Sequence, residues 1–217
     1  RENKSDLFQG AAYFIEGVKK FSKDKSLSLR YDLDTTYYNE VKGITSVFNN
    51  VRIGFQSPFS FLKIGFFSDL GFLYYPHDES GTFFFPRQSL YLRHEITKTM
   101  FHQLIVEYAL KAYAEQKALA NSFAIYQDKK RMDQRGSIQY GFGSMIGPKT
   151  FIMLKGKYGM NDSNALVEDY YDYTSWRGDL GLTYVLTKKD YLFSSFAFTR
   201  KIYNSRTITS GSERQKD

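Results

Sequence analysis

The 217-residue chain contains no cysteine. This absence excludes disulfide bonds, thiol nucleophiles and cysteine-ligated metals. The sequence also lacks any apolar run approaching the ~20 residues that a membrane-spanning helix needs, so a helical membrane protein is excluded. Its mean hydropathy of −0.46 is that of a soluble chain, but this average does not detect apolar residues placed at every second position.

The sequence has no concentrated basic segment, although its formal net charge is +7. Lysines and arginines are spread along the chain beside acidic residues, as in the pairs Arg30/Asp32 and Arg177/Asp179. Nucleic-acid binding requires basic residues gathered on one face. We therefore predict no nucleic-acid partner.

Ten stretches of the chain alternate apolar and polar residues. Near the carboxyl end, for example, Leu180, Leu182 and Tyr184 form one row and polar residues or glycine fill the other. Strict period two places the two rows on opposite faces of a strand. The predicted strands cover residues 6–19, 26–38, 47–57, 60–75, 84–97, 101–116, 134–146, 150–160, 170–186 and 190–205.

The connections between these strands are alternately short and long. Short ones fall at 22–25, 57–60, 98–100, 147–149 and 187–190, and long ones at 39–46, 76–82, 117–133 and 161–169. A transmembrane β-barrel has short turns on one side of the membrane and long loops on the other. We therefore predict one all-β domain over residues 1–217, an antiparallel up-and-down transmembrane β-barrel. A soluble β-sandwich is the alternative.

Two hairpins allow a test of parity, because opposed residues must point to the same face. A turn at 57–60 pairs Phe55 with Leu62, and both belong to apolar rows. The turn that follows Ile146 likewise pairs Phe142 with Gly156. The matching rows favour the barrel prediction.

The polar rows carry charges of both signs. Lysine or arginine on the lipid face costs about 2–4 kcal/mol at mid-bilayer, so these rows should face a polar lumen. The predicted lumen-lining residues are Arg30, Asp32, Arg52, Lys63, Arg93, Glu107, Lys111, Lys155 and Lys157.

Aromatic residues gather where strands meet connections, as expected of girdles at the two membrane interfaces. The simpler explanation is that Tyr and Phe are good strand formers. The predicted interface residues are Tyr74, Tyr75, Tyr171 and Trp176.

Two segments fit the pattern less well. Residues 101–120 are rich in helix formers, so an amphipathic helix competes with the strand, which we favour. In the first strand, Tyr13 and Ile15 compete with Phe14 for the apolar face.

The chain as a whole resembles Gram-negative outer-membrane β-barrel proteins. Its segment 170–184, YYDYTSWRGDLGLTY, is similar to barrel hairpins of export and secretion-accessory porins. The resemblance implies a place in the outer membrane, contact with the lipid bilayer and lipopolysaccharide, and other envelope or secretion proteins as partners. In such barrels the first connection is a long outer loop and the last strand is aromatic, whereas here the first connection, 22–25, is short and residues 207–217 are polar. We therefore expect a strand before residue 1, another after residue 217, and twelve or more strands in the barrel.

Catalytic and metal sites are weakly indicated. The chain has three histidines, His77, His94 and His102. His94 lies on an apolar row, where we interpret it as an interfacial residue and not as a base for a serine such as Ser194. No metal or other cofactor is predicted.

Two further groups of residues have structural explanations. The carboxylates of Asp32, Asp34, Glu107 and Glu115 are expected to form ion pairs, and Asp162, Glu168 and Asp169 lack the calcium-loop spacing. The run Gly141-Phe142-Gly143 lies in a strand pattern, so tight strand packing explains it better than a nucleotide loop.

The sequence thus predicts a membrane protein and not an enzyme. Our first hypothesis is a conduit or scaffold for the transport or export of polar cargo across the outer membrane. The alternative is a non-conducting outer-membrane anchor that binds a partner protein through its loops.

Overall fold

The computed structural model describes residues 8–22, 25–38, 45–76, 82–119, 126–164, 172–187 and 190–203. Within these ranges the chain forms one antiparallel sheet of ten strands and no helix. The strands are β1 (Phe8–Lys20), β2 (Ser26–Tyr38), β3 (Ser46–Phe59), β4 (Leu62–Tyr74), β5 (Phe83–Glu95), β6 (Met100–Leu119), β7 (Tyr126–Ile146), β8 (Thr150–Ser163), β9 (Tyr173–Val185) and β10 (Tyr191–Tyr203). Across the described ranges, a search for a helix with the length and hydropathy to span a membrane gives none.

Each strand pairs with the strands that precede and follow it in the chain, so the sheet is an up-and-down meander. The ten predicted strands and their antiparallel order are confirmed. Connections 21–25, 60–61, 96–99, 147–149 and 186–190 are shorter than 39–45, 75–82, 120–125 and 164–172. In the described residues β1 pairs only with β2 and β10 only with β9, so the sheet is not closed and a barrel is not established.

The two faces of the sheet differ in chemistry. The face that holds Arg52 and Asp69, here called the polar face, buries polar side chains such as Asn50 and Ser89. On the opposite, apolar face every strand contributes an exposed hydrophobic side chain: Ile15, Leu29, Ile53, Leu70, Leu90, Val106, Ile138, Leu154, Leu182 and Phe196. This arrangement is the reverse of a protein in water, which buries its apolar residues.

The polar face contains two deeply buried carboxylates. Asp69 and Asp133 lie on it and are at most 1% exposed, although the described sheet is a single layer. Neighbouring polar side chains hydrogen-bond both carboxylates and so shield them from solvent.

The register of the β3–β4 hairpin corrects our prediction. The turn lies at Ser60 and Phe61 and not at 57–60, so Phe55 pairs with Phe66 instead of Leu62. Ser60 has a φ of 56°, which lets a two-residue turn close the hairpin. The partner moves by an even number of residues, so the predicted facing of both rows is unchanged.

The β7–β8 hairpin shows a similar correction, because Phe142 pairs with Leu154 instead of Gly156. The predicted long loop at 117–133 is also wrong, since β6 and β7 extend to Leu119 and from Tyr126. The ladder continues past an irregularity after Ala112. Cross-strand pairing thus overrides the helix propensity of 101–120, and the favoured strand is confirmed.

The facing of β1 is also settled by its partners. Tyr13 and Ile15 lie on the apolar face, and Phe14 lies on the polar face opposite Asp32. The guanidinium carbon of Arg30 is 4.4 Å from the centre of the Phe14 ring. A cation–π contact therefore accounts for an aromatic residue on the polar face.

Replacing Gly147 by alanine should destabilise the β7–β8 hairpin by about 1–2 kcal/mol, because a residue with a Cβ atom is sterically disfavoured in the left-handed backbone conformation. Gly147 has a φ of 70°, and no atom lies within 4 Å of the Cβ position, so only the backbone resists the change. Gly136→Ala is the matched control, since its Cβ position is equally open and its backbone is an ordinary strand. Urea unfolding of both variants measures the difference, and equal stabilities would contradict the prediction.

Candidate functional site

A chain of ion pairs crosses the polar face, and Asp69 on β4 is its centre. The Nε atoms of Arg52 on β3 and Arg87 on β5 donate to the two carboxylate oxygens of Asp69 over 2.7 and 3.2 Å. The side-chain amide of Asn50 donates to the same carboxylate over 3.2 Å. One buried carboxylate therefore ties together three neighbouring strands.

The chain of contacts continues to β2. Asn50 also donates to Asp32 over 3.3 Å, and Asp32 accepts from the guanidinium of Arg30 at 2.6 Å. The ladder places Asp32 opposite Asn50 and Arg30 opposite Arg52. This register would leave two arginines facing each other, and each of them pairs instead with an aspartate, Arg30 along its own strand and Arg52 across to β4.

On the other side the contacts reach β8. Arg87 Nη1 lies 3.6 Å from Glu107 Oε1, and Ser137 donates to Glu107 over 2.9 Å. The ammonium group of Lys157 donates to the same carboxylate. We call the whole set the polar-face network; its members are Arg30, Asp32, Asn50, Arg52, Asp69, Arg87, Glu107, Ser137 and Lys157.

A second group of charges lies toward the long connections of β6 and β7. Arg131 donates two hydrogen bonds of 2.7 and 2.8 Å to the carboxylate of Asp133, and Asp133 is fully buried. The Arg131 guanidinium also stacks over Tyr113 at 4.5 Å. The Lys111 ammonium lies 3.8 Å from the ring centre of Phe83. In this second group, aromatic rings therefore provide part of the stabilisation that carboxylates provide for the cations of the polar-face network.

The structure places all nine predicted lumen-lining residues on the polar face. Five of them belong to the polar-face network, and Lys111 belongs to the second group. Arg93 instead stacks on Phe101 at 3.6 Å and lies 3.4 Å from Glu95. Lys63 and Lys155 have no carboxylate within ion-pair distance among the described residues.

Sequence reasoning missed the residues that hold the network together. Asp69 and Arg87 stand in the predicted polar rows, but only the register shows that they meet Arg52 and Glu107. The sequence pattern predicts a loop at 117–133, but Asp133 is a buried residue of β7. The alternating pattern identifies the face of a residue and not its neighbour across the ladder.

The predicted interface aromatics lie in different settings. Trp176 is exposed on the apolar face and packs on Tyr158 at 4.6 Å between ring centres. Tyr74, on the same face, stacks on Phe72 at 6.4 Å. Tyr75 follows β4, and its backbone N–H donates to a threonine hydroxyl over 3.2 Å. Tyr171 lies outside the described residues.

Two histidines meet on the apolar face. His94 Nδ1 and His102 Nε2 are 2.8 Å apart, and His102 Nδ1 is 3.3 Å from the hydroxyl oxygen of Tyr140. Ser194 stands on β10, five strands away from His94, so the structure does not bring this serine and this histidine together. His77 lies outside the described residues.

Three of the acidic residues singled out in the sequence form ion pairs. Asp32 and Glu107 take part in ion pairs, as predicted, and Glu115 lies 3.5 Å from Lys130. No group of three or more His, Cys, Asp or Glu side chains within the described ranges could hold a metal ion. Residues Glu168 and Asp169 are outside those ranges.

The glycine run of β7 supports tight strand packing. A Cβ on Gly143 would lie 2.5 Å from the Phe101 ring, and a Cβ on Gly141 would lie 3.0 Å from Gln103. Both glycines therefore make room for side chains of the neighbouring strand on the polar face, as predicted.

Comparison of the chain with protein-family models, with curated proteins and with solved structures found no match. The function must therefore be argued from the chemistry of the sheet itself. The two features available for that argument are the apolar face, exposed across ten strands, and the polar-face network on the opposite side.

Proposed function

We propose that this chain forms a transmembrane β-barrel in the outer membrane of a Gram-negative bacterium. In this proposal the barrel is a conduit or scaffold for the transport or export of polar cargo. One observation carries it: a single sheet buries charged side chains on its polar face and exposes hydrophobic side chains on its apolar face.

The apolar face suits hydrocarbon better than water. Contiguous exposed apolar patches larger than a few hundred Å² mark membrane or protein contacts. A strand of 13 residues, such as β9, extends about 43 Å and crosses about 30 Å when tilted by about 45°. That distance matches the hydrocarbon thickness of a bilayer, which is about 30 Å.

Two pairs of polar side chains on the apolar face are joined by hydrogen bonds. Gln88 donates to Ser68 over 2.8 Å, and the Tyr108 hydroxyl donates to Gln134 over 3.1 Å. A polar group without a partner in hydrocarbon costs several kcal/mol. These pairs therefore lower the cost of placing the apolar face against lipid.

Two measurements test the proposal. The full chain, extracted from membranes, should migrate differently on SDS gels before and after boiling, because an intact barrel resists SDS. Reconstituted in planar bilayers, it should then give steady conductance. Solubility without detergent, together with no gel shift, would overturn the membrane assignment in favour of a soluble sandwich.

The polar-face network favours a second candidate, the non-conducting anchor that binds a partner protein through its loops. Small barrels are filled by their own side chains, and a network that extends from β2 to β8 provides such a filling. A clear gel shift with persistent silence in planar bilayers would support the anchor and exclude the conduit.

A charge-reversal variant of Lys63 should shift the conductance toward cations. Lys63 lies on the polar face without a carboxylate partner in the described residues. The Lys63→Glu variant therefore replaces a cation of the proposed lumen by an anion. Lys19→Glu is the matched control, because Lys19 lies on the apolar face. The reversal potential in a salt gradient measures the effect. The shift in reversal potential should be larger at 0.01 M than at 0.1 M salt, because the Debye length is about 30 Å at 0.01 M and about 10 Å at 0.1 M. Equal shifts in both variants would contradict the lumenal position of Lys63.

A further inference from the structure

His94 and His102 form a cross-strand pair that stands apart from the charged residues of the sheet. They occupy directly opposed positions of the β5–β6 ladder, and both point to the apolar face. Their rings lie 5.0 Å apart, and the edge of the Phe61 ring packs on His94 at 5.5 Å between centres. The polar-face network has no contact with this pair.

The pair lies at the short-turn end of the sheet. His94 is the last but one residue of β5, and His102 is the third residue of β6, so the connection 96–99 is close to both. Both side chains are partly exposed. Solutes in water at this edge can therefore reach the imidazoles.

The nitrogen atoms that face each other can share only one proton. His94 Nδ1 and His102 Nε2 are 2.8 Å apart, so one of them carries hydrogen and the other presents a lone pair. A metal ion could take the place of that proton, and the histidine that carries the proton would move it to its other ring nitrogen. Two nitrogens bound at 2.0–2.1 Å in adjacent positions of a square-planar or octahedral site are about 2.9 Å apart. Binding of a metal ion would therefore change the observed distance of 2.8 Å between the two nitrogens only slightly.

Tyr140 gives the pair an outer contact. Its hydroxyl oxygen lies 3.3 Å from His102 Nδ1, the nitrogen that does not face His94. A metal-bound histidine usually donates its second ring N–H to an oxygen, which fixes the orientation of the ring. Tyr140 on β7 is placed to accept that hydrogen bond.

We propose that His94 Nδ1 and His102 Nε2 bind a borderline divalent transition-metal ion, with Tyr140 as a positioning residue and water as the remaining ligands. Imidazole ligands suit Cu²⁺, Zn²⁺ and Ni²⁺, and the order of affinities places Cu²⁺ first. Binding joins β5 to β6 at the edge of the short turns. The site requires only the observed ladder and is independent of the conduit proposal.

The test uses the full chain folded in detergent micelles and titrated with CuCl₂. We expect one Cu²⁺ per chain, an electron paramagnetic resonance spectrum with nitrogen couplings, and release by EDTA. His94→Gln and His102→Gln should each abolish this binding. His77→Gln is the matched control, since it removes the third histidine, and should retain it.

Three results would overturn the inference: no binding by the wild type, binding unchanged in the His94→Gln/His102→Gln double variant, or loss of binding in His77→Gln. Tyr140→Phe keeps the ring and removes the acceptor, so copper affinity should fall by about 10-fold. An unchanged copper affinity would show that Tyr140 is not a positioning residue of the site. ZnCl₂ should also raise the midpoint temperature of thermal unfolding, as any ligand of the folded state does. A rise that persists in His102→Gln would argue against this site.

Discussion

Phe196→Arg should strongly impair folding of the chain into phospholipid vesicles, whereas Ala197→Arg should fold almost as well as the wild type. The two residues are neighbours at the middle of β10, and both are exposed. Phe196 lies on the apolar face opposite Leu180, and Ala197 lies on the polar face opposite Asp179. An arginine on the lipid face costs about 2–4 kcal/mol at mid-bilayer.

Urea unfolding in vesicles measures this difference. Trp176 is the only tryptophan and is 57% exposed on the apolar face, so its fluorescence reports contact with lipid. In a water-soluble sheet, replacing an exposed phenylalanine by arginine would cost little. Equal stability of the Phe196→Arg and Ala197→Arg variants would therefore refute the lipid-facing position of the apolar face.

Asp69→Asn should lower the free energy of unfolding by about 3 kcal/mol, because it leaves two partly buried guanidinium groups without their shared carboxylate. Asp69 is 1% exposed and accepts from Arg52, Arg87 and Asn50. Asparagine has nearly the same shape, but its amide nitrogen would face an arginine donor. The loss is therefore electrostatic and does not create a cavity.

Asp34→Asn provides the matched control for this variant. Asp34 lies on the same face of β2 and is exposed, so its replacement should change stability by less than about 1 kcal/mol. Urea midpoints of both variants, measured in the same vesicles, give the comparison. Equal losses would show that Asp69 is no more important to the sheet than an exposed carboxylate.

The strands, and the facing of all of them except β1, could be predicted because they depend on period two alone. The Phe55–Phe66 pair shows why the register could not. The predicted turn covers 57–60, whereas the chain turns at Ser60 and Phe61, and serine rarely adopts the positive φ that Ser60 has. A register error of an even number of residues keeps every side chain on its predicted face but changes its cross-strand partner.

The candidate site was harder to predict for the same reason. The contacts of Asp69 with Arg52 and of His94 with His102 join residues of different strands. A sequence pattern places each residue on a face, but the lateral neighbour follows from the exact turn. The extended β6–β7 pair, which includes the buried Asp133, was hidden by helix-forming and charged residues.

The meander order has a consequence for how the sheet assembles. Every observed ladder joins strands that are adjacent in the chain, so each hairpin closes only a short loop and loses little entropy. Folding can therefore lengthen the sheet one hairpin at a time, with low contact order throughout. In the barrel that we propose, the seam between the first and last strands is the one pairing that joins distant parts of the chain. We expect the closing of this seam to be the slow and final step of assembly.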